Sequence, residues 1–167
     1  MKKNPLFWLV GIIGFVLDQA TKIIVVLSFN EIGDTIALWE NVFHLTYVIN
    51  PGAAFSLFAE SNGGWLRWLS LAVTIGLMIY AWRSPRLPQL EQLGCGFVLA
   101  GAAGNGLDRF LFGYVVDFLD FRLIQFPVFN VADICINIGI ICLILLNFPF
   151  FQRSQRRPGE PNHHDKS

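Results

Sequence analysis

Residues 6–29 read LFWLVGIIGFVLDQATKIIVVLSF and contain only two charged side chains, Asp18 and Lys22. An α-helix needs about 20 mostly apolar residues to cross the hydrocarbon core of a bilayer, and this stretch is long enough. Two lysines precede it, as in a signal peptide, but a cleavage site of small residues is missing, which favours a retained helix. The stretch therefore predicts a membrane-spanning helix.

Three further apolar segments, at 65–82, 92–112 and 131–151, have the same character. The chain of 167 residues is 54% hydrophobic and 14% charged, whereas soluble domains are usually about 25% charged. A chain this short cannot bury so much apolar surface away from water. We therefore expect an α-helical integral membrane protein with four transmembrane helices, a single domain over 1–151 and a disordered cytoplasmic tail over 152–167.

The 12 basic and 12 acidic side chains cancel, so the chain has no basic excess with which to bind nucleic acid. These charges are unevenly distributed along the chain. Lysines and arginines flank the predicted spans at 2–3, 83–86 and 153–157, whereas the segment 28–64 has acidic residues and no basic ones. The positive-inside rule then places both termini in the cytoplasm and the segment 28–64 outside.

The segment 35–49 is rich in β-branched and aromatic residues, which predicts one or two strands on the outer surface. The sequence Asn50-Pro51-Gly52 then ends the strand as a turn. This outer segment predicts a small β-rich extracytoplasmic part. A stripe of small residues in the third span, Gly96, Ala100 and Gly104, predicts close packing of a neighbouring helix.

Two predicted spans become polar at their outer ends. The polar face of the third span follows helical spacing over Gly101, Gly104, Asn105, Asp108 and Arg109, and the fourth span begins with Asn130, Asp133 and Asn137. Asn130 is a candidate N-cap with Asp133 in the first turn, where the helix dipole favours an ionised carboxylate. Both polar faces are expected to converge at the outer membrane surface.

Ionisable side chains within spans cost about 2.5–3.5 kcal/mol on insertion scales, so they are candidates for function. The candidates here are Asp18, Lys22, Asp108, Arg109, Asp117, Asp120 and Asp133. Asp18 and Lys22 are spaced i, i+4, which allows either mutual neutralisation or contact with lipid headgroups. Asp117 and Asp120 lie in an apparent strand, whose alternation places them on opposite faces without choosing between them.

Two carboxylates at one apolar interface suit acid–base hydrolysis, because one retains a proton while the other acts as a base. Asp133 would take a proton from water, and its protonated partner would polarise the scissile carbonyl. Serine chemistry fits less well, since a G-x-S-x-G motif is missing, and the cysteines and histidines lack metal-binding spacing. The same pattern also fits a proton-coupled transporter or a small channel subunit, and the residues alone leave both alternatives open.

Five sequence blocks, in order, resemble the bacterial lipoprotein signal peptidases, or signal peptidase II. The blocks are DQATK at 18–22, NPGAAFS at 50–56, GNGLDR at 104–109, VVDF at 115–118 and FNVAD at 129–133. This resemblance implies a membrane aspartyl endopeptidase that removes signal peptides from prolipoproteins whose lipobox cysteine already carries diacylglycerol. It implies cleavage just before that cysteine, and a β-rich outer segment above the helices.

The resemblance also implies the site residues. The catalytic dyad would be Asp117 and Asp133, which selects Asp117 over Asp120. The matched positions that line or support the site are Asn50, Gly52, Asn105, Arg109 and Asn130, with Asp18 and Lys22 in stability or lipid contact. We expect no metal and no cofactor, membrane lipids and diacylglyceryl-modified prolipoproteins as partners, and a monomer in the bacterial inner membrane with its site near the outer face.

Overall fold

The computed structural model describes residues 3–52, 64–124 and 126–146. The elements in these ranges are α1 (Pro5–Ser28), β1 (Thr35–Trp39), β2 (Phe43–Asn50), α2 (Gly64–Arg83), α3 (Gln89–Leu111), β3 (Val115–Phe121) and α4 (Val131–Leu145). A helix is thus present in each of the four predicted segments. The predicted end of the fourth span at 151 and the predicted tail over 152–167 lie outside the described residues.

Helix α3 is central and packs against α1, α2 and α4. Its small residues allow α1 to approach closely. A Cβ added at Gly96 would lie 2.8 Å from the carbonyl oxygen of Phe7, and one added at Gly104 would overlap the carboxylate of Asp18. The predicted stripe of small residues is confirmed as a helix-packing surface, with α1 as its partner.

The fold is mostly helical with one small sheet. Within the described ranges, α1 and α2 are long and apolar enough to cross a membrane, and the described part of α4 is a shorter apolar helix. Helix α3 is more polar because it carries Gln92, Asn105 and Asp108, which are all buried in the bundle. The count of four membrane spans therefore stays a prediction.

The three strands form an antiparallel sheet in the order β1-β2-β3. The predicted strands over 35–49 are confirmed as β1 and β2. The register between β2 and β3 shifts between Leu45 and Val48, so that Val48 pairs with Asp117. Such a bulge exchanges the faces of the side chains that follow it. Asn50, two residues after Val48, therefore shares a face of the sheet with Asp117.

The sheet packs on one end of the helix bundle. Val25 of α1 forms a buried cluster there with Val116 and Phe118 of β3. At the other end, the Nδ2 group of Asn4 donates a hydrogen bond to the Ala81 carbonyl at 2.9 Å. The start of α1 and the end of α2 therefore lie together, opposite the sheet.

Candidate active site

The first turn of α4 begins with a reciprocal cap. Asn130 Oδ1 accepts the backbone N–H of Asp133 at 3.0 Å, and Asp133 Oδ2 accepts the backbone N–H of Asn130 at 3.1 Å. The predicted N-cap is thereby confirmed. Asn130 is fully buried, and its Nδ2 also donates to Asp117 Oδ1 at 2.6 Å. One amide side chain therefore links the two acidic residues that the resemblance singled out.

Asp117 is buried on β3, and each of its oxygens accepts an amide hydrogen. Its Oδ2 accepts from Asn50 Nδ2 at 2.9 Å. Asn50 is itself oriented by the turn after β2, because its Oδ1 accepts the backbone N–H of Gly52 at 2.9 Å. Gly52 has a φ of 105°, a conformation that glycine adopts readily. The turn and the bulge together bring Asn50 to Asp117.

The two carboxylates of β3 have opposite pKa shifts. Burial is the largest influence on Asp117 and raises its pKa to about 6; the nearby charge of Asp133 adds to this, and the hydrogen bonds from Asn50 and Asn130 oppose it. Burial also raises the pKa of Asp120, but hydrogen bonds from Thr46 and Arg122 outweigh it and lower that pKa overall. Asp117 is thus the carboxyl that retains a proton more readily.

The two carboxylates also have different partners, as strand alternation predicts. Asp120 Oδ2 accepts the hydroxyl of Thr46 at 2.7 Å and the Nε–H of Arg122 at 2.8 Å. Asp117 instead bonds to Asn50 and Asn130. The sheet therefore gives a structural reason to separate Asp117 from Asp120, which periodicity alone could not provide.

A buried charge cluster lies behind Asp133. Lys22 Nζ donates to Asp18 Oδ2, to Asp108 Oδ2 and to Asn105 Oδ1, each at 2.9 Å. Asn105 Nδ2 then donates to Asp133 Oδ1 at 2.9 Å. The predicted pairing of Asp18 with Lys22 is confirmed, and it is connected to Asp133 through one side chain.

The carboxylates of this cluster also hold neighbouring elements in place. Asp18 Oδ1 accepts the backbone N–H of Ala132 in the first turn of α4 at 2.8 Å, and Asp108 Oδ2 accepts that of Val116 in β3 at 3.3 Å. Gln19 Nε2 donates to both carboxylates at 3.1 Å. The sequence predicted no partner for Asp108 and no role for Gln19. Both residues lie within the matched blocks at 18–22 and 104–109, but no spacing in the sequence pairs the two helices.

Arg109 lies beside the two acids. Its Nη1 donates to the Asn105 carbonyl oxygen at 3.3 Å. Its Nε is buried and has no hydrogen-bond partner among the described residues. Arg109 lines the same groove as Asp117 and Asp133, so its guanidinium group lies beside both acids.

The groove has a volume of about 820 Å³. It is lined by Val48, Ile49, Asn50 and Pro51 at the end of β2, by Phe126, Pro127, Val128 and Phe129 before α4, by Arg109 and Asp117, and by Asp133, Ile134, Asn137, Ile138 and Ile141 of α4. Ile134, Ile138 and Ile141 follow helical spacing along α4, so an apolar track leads away from the acids. Within the described ranges, no group of three or more His, Cys, Asp or Glu side chains is arranged to hold a metal ion.

Comparison with known proteins gives a consistent result. The sequence profile of signal peptidase (SPase) II matches residues 10–149. The chain belongs to the signal peptidase II family. The family inferred from the five sequence blocks is therefore confirmed.

Relatives named lipoprotein signal peptidase align over nearly the whole chain. The lipoprotein signal peptidase of Gloeothece citriformis is 64% identical, covering 96% of this chain and 99% of the relative. That of Microcystis aeruginosa is 63% identical, covering 91% and 97%. A solved structure described as a bacterial membrane enzyme superposes with a TM-score of 0.76 at 27% identity, covering 92% of this chain and 93% of the other.

Membership of the signal peptidase II family makes this chain a protease. The structure brings together Asn50, Asn105, Arg109, Asn130, Asp117 and Asp133, and it places Gly52 in the turn that orients Asn50. Asp18 and Lys22 lie behind the groove, joined to it through Asn105. Their contacts are with each other in α1 and with protein groups of α3 and α4, and their predicted role in stability or lipid contact stays a prediction.

Proposed function

We propose that Asp117 and Asp133 form the catalytic dyad of a lipoprotein signal peptidase, an aspartyl endopeptidase that removes signal peptides from prolipoproteins. The observation that carries this proposal is the placement of two bridged carboxylates at the polar end of an apolar groove. Such a groove suits a substrate whose apolar segment must lie close to the bond that is cut. Relatives named lipoprotein signal peptidase align over nearly the full chain, which also supports the proposal.

The two acids have different roles in the proposed mechanism. Asp133, in the first turn of α4, is the ionised member and takes a proton from the attacking water. Asp117, whose pKa is raised to about 6, retains a proton and donates it as a hydrogen bond to the scissile carbonyl. Arg109, which lines the same groove, offers a guanidinium N–H to a substrate oxygen.

The proposed substrate is a prolipoprotein whose lipobox cysteine carries diacylglycerol, and the proposed cut lies just before that cysteine. A lipid-anchored cysteine stays near the headgroup level of the membrane. The apolar track of Ile134, Ile138 and Ile141 can contact the signal helix or an acyl chain, while the acids need only local water.

We also propose the orientation predicted from the sequence. The end of the bundle opposite the sheet carries Lys3, Arg83 and Arg86, whereas the acidic loop before β1 lies at the sheet end. The positive-inside rule then places both termini in the cytoplasm and the dyad near the outer face of the bacterial inner membrane. We further propose that residues 1–151 form one domain with four spanning helices and that residues 152–167 form a separate tail. The protein is proposed to act as a monomer.

The function is tested with purified protein and one proprotein in two forms, diacylglyceryl-modified and unmodified. We expect cleavage before the cysteine of the modified form and at least about tenfold slower cleavage of the unmodified form, because the lipid positions the scissile bond. Mass spectrometry of the products reports the cut site. Equal cleavage of both forms would contradict the lipid requirement. Cleavage of neither, together with pH-dependent flux in proteoliposomes, would favour the transporter alternative.

The pH dependence follows from the raised pKa of Asp117. Since the general acid must carry its proton, we expect kcat/KM to fall as pH rises through about 6, the pKa of Asp117 in the free enzyme. Initial rates on the modified proprotein at constant ionic strength measure this fall, which is the alkaline limb of the pH–rate profile. Asp120→Asn is the control and should keep the same profile. A constant rate between about pH 5 and about pH 8 would contradict the role of Asp117 as the acid.

Arg109→Ala is expected to slow turnover by about 10–100-fold without unfolding the protein, because it removes the N–H donor beside the dyad. Kinetics on the modified proprotein measure the loss. Arg122→Ala is the matched control, since Arg122 pairs with Asp120 on the other face of β3 and does not line the groove. Equal kinetics for Arg109→Ala and wild type would show that Arg109 has no part in the site.

A further inference from the structure

The hydrogen bonds of Lys22 allow one orientation of Asn105. An ammonium group has three N–H donors and no acceptor. The partners of Lys22 Nζ, which are Asp18, Asp108 and Asn105, each lie at 2.9 Å, and Lys22 is only 3% exposed. All three donors are therefore used inside the protein. Asn105 must turn its carbonyl oxygen, and not its NH₂ group, toward Lys22.

The neighbouring amide of Asn130 is oriented by a separate constraint. Its Oδ1 accepts the backbone N–H of Asp133, a donor that cannot be reversed, so its Nδ2 must face Asn105 Oδ1 at 3.0 Å and Asp117 Oδ1 at 2.6 Å. Asn105 Oδ1 thus accepts hydrogens from both Lys22 and Asn130. The Nδ2 group of Asn105 is then directed to Asp133 Oδ1 at 2.9 Å.

We propose that Lys22 is a positioning residue that acts on the dyad through Asn105. This inference rests on the proposed function, in which Asp133 is the ionised base. Lys22 holds the Asn105 amide so that Asp133 receives an N–H group; a reversed amide would place an oxygen against the carboxylate and replace attraction with repulsion. A lysine that only neutralised Asp18 and Asp108 would not need this third contact.

The design of the test depends on the charges around the contact between Asn105 and Asp133. The charged side chains that face this contact are Lys22 and Asp18 from α1, Asp108 and Arg109 from α3, and Asp117 from β3. Lys22→Met alone would leave two buried carboxylates uncompensated, which is strongly destabilising. The double variant Asp18→Asn/Lys22→Met removes one charge of each sign, so the net charge of the cluster of Asp18, Lys22 and Asp108 is unchanged, and Asp108 still accepts hydrogen bonds from Gln19 and Val116. The wild type is its reference.

The experiment measures kcat and KM against pH on the diacylglyceryl-modified proprotein. Relative to wild type, we expect the acidic limb of the pH–rate profile of the double variant to move to higher pH by about one to two units, because the base loses a hydrogen bond to its charged form. At pH values on this limb kcat is expected to fall at least about tenfold, with KM changed less than about twofold. A purely structural Lys22 would lower the yield or the Tm and leave the limb in place.

An acidic limb at the same pH in the double variant and its reference would overturn the proposal. A second variant, Asn105→Leu, is nearly isosteric and removes the donor to Asp133 while Lys22 is kept. It should show the same displaced limb, and an unmoved limb there would also overturn the proposal, even where the double variant does not fold. Failure of the wild-type enzyme to cut the modified proprotein would instead overturn the proposed function, so the two failures are distinguishable.

Discussion

Asp117→Asn is expected to reduce cleavage of a diacylglyceryl-modified proprotein by about 10³-fold or more. An amide cannot hold the proton that polarises the scissile carbonyl, and general acid catalysis contributes about 10²–10⁴-fold. The asparagine can still accept a hydrogen bond from Asn50 or Asn130, so the fold should be retained. Single-turnover rates on the modified proprotein, with thermal unfolding in detergent as the folding check, measure the effect.

Asp120→Asn is the matched control for this variant. It makes the same chemical change on the same strand, but Asp120 contacts Thr46 and Arg122 and does not line the groove. Its cleavage rate should stay within about threefold of wild type, because the change removes no group that lines the groove. A comparable loss in both variants, or near-normal cleavage by Asp117→Asn, would rule out the proposed dyad.

Asp133→Asn is expected to cause a similar loss of about 10³-fold or more, because the variant cannot accept a proton from the attacking water. It differs from Asp117→Asn in stability. Asp133 is part of the capping box of α4, so its replacement should also lower the free energy of unfolding by about 0.5–1 kcal/mol.

The two consequences of Asp133→Asn are measured separately. Rates on the modified proprotein report the chemistry, and the Tm in detergent reports the helix cap. Glu91→Gln is a suitable control for removal of a helical carboxylate, because Glu91 lies in the first turn of α3 and does not line the groove. Normal processing by Asp133→Asn would show that the base is elsewhere.

Local signals in the sequence predicted much of this site. Helical spacing placed Asn105 and Arg109 on one face of α3, and the polar start of α4 predicted the cap formed by Asn130 and Asp133. These features depend on residues within one or two helical turns of each other. Strand composition predicted β1 and β2 for the same reason.

Contacts between distant segments could not be predicted in this way. The pairing of β2 with β3, and the bulge that moves Asn50 to the face of Asp117, depend on the register between strands far apart in the chain. The junction of Asp108 with Lys22 depends on how closely α1 and α3 approach at Gly104. From the residues alone, the choice of Asp117 over Asp120 stayed open, and the family resemblance made it.

The apolar track along α4 has a consequence for enzymology. Because a substrate would reach the acids by lateral movement within the bilayer, its relevant concentration is its mole fraction among lipids, and not its molarity in the buffer. Adding enzyme-free lipid would then slow the reaction by surface dilution although no component is consumed. The same partitioning would make the apparent potency of an apolar competitive inhibitor depend on the lipid-to-protein ratio of the preparation.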